Sequence, residues 1–370
     1  MSSSSIKNRK CKKINLALQG GGAHGAFTWG VLDELLKDQC LDFEGISATS
    51  AGSMNAVVMT QGLIEGGHEQ ARETLEKFWR RVSETGSVFS SVSSSMSETF
   101  QSHLDTMSGF FPLLKKEWTE GYNNATHFMN LMSQNISPYQ FNPFNINPLK
   151  TILEELVDFE KIRATKEVQL FITATNVKTG DARIFKTPEL TSEMVVASAA
   201  LPNIFQAVEV DGEYFWDGGF VGNPSLWPLF YEVTSDDVLI VHVNPIIRND
   251  LPKDAPSIEN RINEITFNAA MLKELRAIHF VQKLLSRDMI KDEFKGKYRD
   301  VLIHAIRAED VMRKLELSSK YDTSWTFLKN LRDQGRTVAR KWLKENFDAV
   351  GQKSTINISQ DYLSPSKAEE

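Results

Sequence analysis

The chain is poor in cysteine, with only Cys11 and Cys40 among 370 residues, so no disulfide framework and no Cys-rich zinc site organises it. A chain of this length buries enough core to need neither. No run of 18 apolar residues occurs, which leaves no segment fit to cross a bilayer as a helix. Positive charge is also short. Lys plus Arg number 42 against 48 for Asp plus Glu, a net charge of -6 at pH 7, which argues against binding nucleic acid through bulk charge. The basic, serine-rich start is followed by an apolar stretch of only Ile14–Leu18, and a secretory signal needs a longer one, about 7–15 residues. The expectation is a cytoplasmic protein with a flexible basic tip over residues 1–13 and no nucleic-acid partner, with peripheral contact with membranes and export by a signal-independent route as the alternatives left open.

What is present is an alternation of short apolar runs with helical periodicity, the rhythm of βαβ units and an α/β fold. The pattern predicts strands at Ile14–Leu18, Phe43–Thr49, Val168–Asn176, Ala182–Phe185, Val238–Val243 and Val301–Ile306. It predicts helices at Ala26–Lys37, Ala51–Gly62, His68–Val82, Ile258–Leu285 and Ser324–Glu345. Asp211-Gly212 between two short apolar runs is a hairpin signal, since both residues tolerate positive φ. The rhythm lapses over 86–149, where the stretches Gly86–Ser97 and Gly121–Leu149 hold no Asp, Glu, Lys or Arg. The expected organisation is one domain over 14–346, with an insert or lid at 86–149, a helix-rich part at 258–346 and a tail at 347–370.

Three glycine-marked segments carry chemistry. Gly20-Gly21-Gly22-Ala23-His24-Gly25 follows a strand and opens a helix, a place where bare backbone N–H groups and the helix dipole receive negative charge. Its spacing also fits a dinucleotide loop, but Asp42 and Glu44 stand at the start of the second strand, not at its end. Ala48-Thr49-Ser50-Ala51-Gly52 sits at the next strand-to-helix turn and matches a nucleophile elbow with alanine for its first glycine. Serine there also serves as an ordinary helix N-cap; its place one βα unit after a donor loop favours the nucleophile. Asp217-Gly218-Gly219 ends the hairpin and offers a carboxylate as base to that serine.

In this order and spacing the three segments resemble the patatin-like phospholipase family. The resemblance runs from Ile14 to Pro245, helped by Ala174-Thr175-Asn176, Thr179-Gly180 and Ala197–Pro202. It implies a three-layer α/β/α sandwich with a mostly parallel central sheet, and hydrolysis of lipid acyl esters by a Ser–Asp dyad. Carried onto this chain, Ser50 is the nucleophile and Asp217 its base. Gly20, Gly21 and Gly22 form the oxyanion hole, supported by His24, Gly25, Ala48, Gly52, Gly218 and Gly219. Two residues depart from the family pattern: Ala48 replaces glycine, and His24 stands where Arg or Lys is usual.

That chemistry needs no metal and no cofactor, and none of the seven histidines as base. His242 copies the chain order of a Ser–Asp–His triad but lies inside a buried strand, and His279 and His304 read as structural. The expected substrate is a phospholipid or lysophospholipid, with a thioester or polyester as alternatives for the same dyad. A dinucleotide-binding protein using Gly20–Gly25 and a catalytically idle scaffold are the competing classes. Phe110, Phe111, Trp118, Tyr122, Phe128, Tyr139, Phe141 and Phe144 of the insert are candidates for lipid contact, with ordinary core packing as the other reading. Arg332, Arg336, Arg340, Lys341 and Lys344 of the late helix are candidates for anionic lipid, with a solvated face as the commoner explanation.

Overall fold

The computed structural model describes residues 10–107, 137–295 and 297–364. Among these residues eight strands form one sheet: β1 (Lys12–Leu18), β2 (Leu41–Ala48), β3 (Gln169–Asn176), β4 (Ala182–Lys186), β5 (Val208–Val210), β6 (Glu213–Asp217), β7 (Asp237–His242) and β8 (Leu302–Arg307). Hydrogen bonding follows the path β5-β6-β3-β2-β1-β7-β8, with β4 also on β3. The β1–β2, β1–β7, β2–β3 and β7–β8 pairs are parallel. The sheet is therefore parallel through its centre, and the β3–β6 hairpin region adds the antiparallel edge.

The strand period of two sorts side chains onto two faces. On one, Ile14, Leu16, Leu18, Leu239 and Val241 pack against α1 (Gly25–Asp38), α2 (Ala51–Met107), α3 (Pro148–Leu156), α4 (Ser192–Ala197) and later α6 (Trp325–Asn346). On the other, Ala17, Val238 and Ile240 pack under α5 (Ala255–Ser286) through Met271, Leu275 and Ile278. The result is the expected α/β/α sandwich. Helix α2 unites the two helices predicted over residues 51–82 and breaks between them, where Gly66 and Gly67 leave helical geometry.

Three expectations need amending. Of the expected tail at 347–370, residues 347–364 pack onto the domain: Phe347 and Val350 join the first core, and Ile358 and Tyr362 the second. The charge-poor segment at 86–149 begins inside α2, which continues to Met107. Of its aromatics, Phe110, Phe111, Trp118, Tyr122, Phe128 and the Phe141 side chain lie outside the described residues, while Tyr139 and Phe144 are exposed. Finally, Arg336 and the exposed Arg340 of α6 are engaged by carboxylates within the protein. They bind Asp33 and Glu34 of α1 at 2.7 and 2.8 Å, clamping two helices together. Among the described residues no helix is long and apolar enough to cross a membrane.

Candidate active site

Strand register brings the second and third glycine-marked segments together. Ile172 of β3 pairs with both Ala48 and Phe185, and Ala174 pairs with both Arg183 and Asp217. A strand has only two edges, so β2 and β6 must share the edge opposite β4, with the C-terminal ends of the two strands meeting there. Ala48 and Asp217 thus sit two β3 residues apart, about 7 Å at strand spacing. Ser50, two residues beyond Ala48, emerges beside Asp217.

Hydrogen bonds then fix Ser50 and the peptide that follows Asp217 to one atom. The Ser198 carbonyl accepts from the Ser50 N–H and from the Gly218 N–H, each at 3.1 Å. The Asp217 N–H donates to the Ala200 carbonyl at 2.8 Å. Ser198 and Ala200 belong to the stretch that follows α4, so this buried turn sets the spacing of serine and carboxylate. The Thr49 hydroxyl adds a bond to the Gly222 carbonyl at 2.6 Å. Ser50 itself holds φ at 55°, a left-handed conformation that is uncommon for a residue with a side chain and is found at functional turns. Its carbonyl accepts from the Ser53 and Met54 N–H groups as α2 starts. Ala48 is fully buried, so the methyl group in place of the usual glycine hydrogen is accommodated in the core.

Asp217 has no exposed surface. Its Oδ1 accepts from the Gly219 N–H at 2.7 Å, and its Oδ2 is buried without a hydrogen-bond partner among the described residues. Burial pushes its pKa up to about 6, against the opposing influence of the Gly219 N–H, the Ser50 hydroxyl and the Lys320 ammonium. Such a carboxylate is ionised at neutral pH yet far more basic than an exposed aspartate, a combination suited to general-base work.

The glycine loop lies directly against the elbow. A Cβ on Gly20 would stand 2.5 Å from the Ser50 Cβ and 2.9 Å from the Thr49 carbonyl oxygen. Gly22 takes φ of +58°, and a Cβ there would meet the Lys320 carbonyl oxygen at 2.5 Å. Gly25, Gly52, Gly218 and Gly219 face Ala51, the Leu18 carbonyl, the Thr173 carbonyl and the Phe267 ring, all too close for a side chain. One expectation changes here. The Gly20 N–H is held by Asn223 Oδ1 at 2.7 Å, so it is not free to receive an oxyanion. The Gly21 and Gly22 N–H groups have no protein acceptor among the described residues.

His24 is buried, and its Nε2 lies 2.7 Å from the Ser319 hydroxyl. Burial first, and the Lys320 charge second, lower its pKa to about 3, so it is neutral at physiological pH. His242 is likewise buried, with its pKa lowered to about 4 chiefly by burial, and it stacks on Tyr362. His304 bonds Asp237 and Thr355. Glu44, an acid the dinucleotide reading would need, accepts from the Thr234 and Ser235 N–H groups and the Thr234 hydroxyl at 2.7–3.0 Å. Among the described residues no three His, Cys, Asp or Glu side chains gather as metal ligands.

Asn223, Ser198 and Lys320 are parts of the site to which sequence reasoning gave no role. Asn223 and Ser198 fall in segments next to recognised motifs. Lys320 follows Ser50 by 270 positions and carries no local signal.

The patatin-like phospholipase family model matches residues 16–230, more than half of the chain, and the chain belongs to that family. Membership makes it a lipid acyl hydrolase in class. Among solved structures, VipD from Legionella pneumophila is similar, at 14% identity over 96% of this chain and 73% of its own, with a TM-score of 0.41. No curated protein matches the chain.

Proposed function

We propose that the chain hydrolyses carboxylic esters of phospholipids or lysophospholipids through an acyl-enzyme on Ser50, with Asp217 as general base. The observation that carries this reading is the shared tether on Ser198, which sets Ser50, at φ of 55°, beside a buried carboxylate with an unpartnered oxygen. As Ser50 Oγ attacks the ester carbonyl carbon, Asp217 takes the hydroxyl proton. Negative charge moves to the carbonyl oxygen, where the Gly21 and Gly22 N–H groups receive it. Collapse of that intermediate breaks the ester C–O bond, and the departing alcohol takes the proton from Asp217. Water then attacks the acyl-enzyme, losing a proton to Asp217, and as the fatty acid is released the departing Ser50 oxygen takes that proton back from Asp217.

An apolar rim beside the site suits such a substrate. Phe220, next to Gly219, is partly exposed and lies 5.4 Å from the Phe267 ring of α5. The same helix exposes Ile258, Ile262 and Ile265 on one face, which helical periodicity turns away from Phe267. We assign Phe220 and this outer rim of the helix to peripheral contact with lipid aggregates. The test is turnover of a panel of phospholipids, lysophospholipids, acyl thioesters and a polyester by the native chain and by Ser50→Ala. Loss of all turnover in the variant, with lipid esters the best substrates of the native chain, is expected. Turnover surviving in Ser50→Ala overturns the dyad, and a thioester or polyester preference overturns the substrate class.

A further inference from the structure

Lys320 touches both halves of the site. It lies in the short 3-10 turn Leu317–Tyr321, outside the segment of family likeness. Its carbonyl oxygen lies 2.5 Å from where a Cβ on Gly22 would stand, so its backbone closes over the glycine loop. Its ammonium donates to Asn244 Oδ1 at 2.9 Å and Asn263 Oδ1 at 2.6 Å. Asn244 Nδ2 in turn donates to the Gly20 carbonyl at 2.9 Å. The ammonium also lies 5.5 Å from the centre of the Phe267 ring, and the edge of that ring abuts Gly219, whose N–H holds Asp217.

Two carboxylates, Glu264 and Asp217, act on this cation. Glu264 of α5 is bonded by Arg248 and Arg261 at 2.5 and 3.1 Å. His24, on the loop side, is neutral. Tyr321 is held protonated by burial, and Glu259 and Asp217 act in the same direction. Two neutral amides hold the ammonium, so among the described residues its charge is not matched by a bonded carboxylate.

We propose that Lys320 is a positioning residue of the reaction, clamping the glycine loop through Asn244 and presenting a fixed positive charge to Asp217 and to the carbonyl oxygen as it becomes negative. This rests on the Ser50–Asp217 reading above. Burial lowers the Lys320 pKa to about 8, with Glu264 and Asp217 opposing. The charge is therefore lost just above neutral pH, and activity falls on the alkaline side with it.

The test is the pH profile of kcat/KM on a short soluble ester for the native chain, Lys320→Gln, Lys320→Arg, Asn263→Asp and Ser50→Ala, with melting temperatures alongside. Gln keeps a hydrogen-bond donor and loses the charge; Arg keeps the charge at all accessible pH. The native profile should fall below pH about 6 and above about 8. Lys320→Gln should lose about tenfold or more in kcat with little change in KM, as expected for a charge felt mainly in the transition state. Its acid limb should move to higher pH and its alkaline limb should vanish. Lys320→Arg should recover most of the rate and carry the alkaline limb out of range. Asn263→Asp, which adds a carboxylate beside the ammonium, should move the alkaline limb upward, a readout that survives if Lys320→Gln fails to fold. A Lys320→Gln profile with both limbs in their native places, equal impairment by Gln and Arg, or an alkaline limb unmoved by Asn263→Asp overturns the inference. Activity retained by Ser50→Ala overturns the dyad and this inference with it; loss there with an unmoved Lys320→Gln profile overturns the inference alone.

Discussion

Adding one methyl group at Gly20 is the sharpest perturbation of the proposed geometry. In Gly20→Ala the new carbon would lie 2.5 Å from the Ser50 Cβ and 2.9 Å from the Thr49 carbonyl oxygen. Ordinary carbon–carbon contact is about 3.5–4.0 Å, so loop and elbow must separate by about 1 Å. Neither side yields easily. Ser50 is tied through Ser198 and Thr49 through Gly222, while Gly20 is tied through Asn223 and Asn244. A displacement of about 1 Å between reacting groups costs on the order of 10² in rate, about 2.7 kcal/mol of transition-state stabilisation. The overpacking itself should destabilise the fold by about 1–3 kcal/mol. The assay is kcat/KM on a short soluble ester together with the urea midpoint, so that lost rate is separated from lost fold. A Gly20→Ala variant with native rate would refute the close packing of loop on elbow.

Two further outcomes follow from burial and charge. Asp217→Asn should abolish turnover yet raise the melting temperature at pH 7. Burial holds the carboxyl at about 6 rather than 3.8, so the folded state binds the extra proton between those values. Stability from this group is therefore greatest at low pH and is lost as pH rises through about 6; a variant no more stable at pH 7 than the native chain contradicts the stated cause of the shift. Ile262→Glu, on the exposed face of α5, should reduce hydrolysis of phospholipid vesicles several-fold and leave a short soluble ester unaffected, and equal losses on both would remove the rim from lipid contact.

Local segments of the site were legible in the sequence because sharp turns and close approaches demand small residues there. Gly20–Gly25, Ala48–Gly52 and Asp217–Gly219 each write a backbone requirement into adjacent letters, and the strand–turn–helix placement of the first two is found as expected. Long-range satisfaction of polar groups was not legible. The Gly20 amide is claimed by Asn223, 203 residues away, and no local pattern announces that pairing. Lys320 likewise reaches the site only through the fold. Arg336 and Arg340 read as a basic helix face because their carboxylate partners are on α1, about 300 residues earlier. Residues 351–364 carry few apolar letters and no period, so the burial of Ile358 and Tyr362 could not be seen before the second layer was assembled.

Reaction with a fluorophosphonate, followed by peptide mass mapping, tests the central claim most directly, because the reagent stays on an activated serine. A single adduct on Ser50, formed by the native chain and lost in Asp217→Asn, is the expected result. An adduct on another serine, or labelling of Ser50 that proceeds undiminished without Asp217, would contradict the pairing of this serine with this carboxylate.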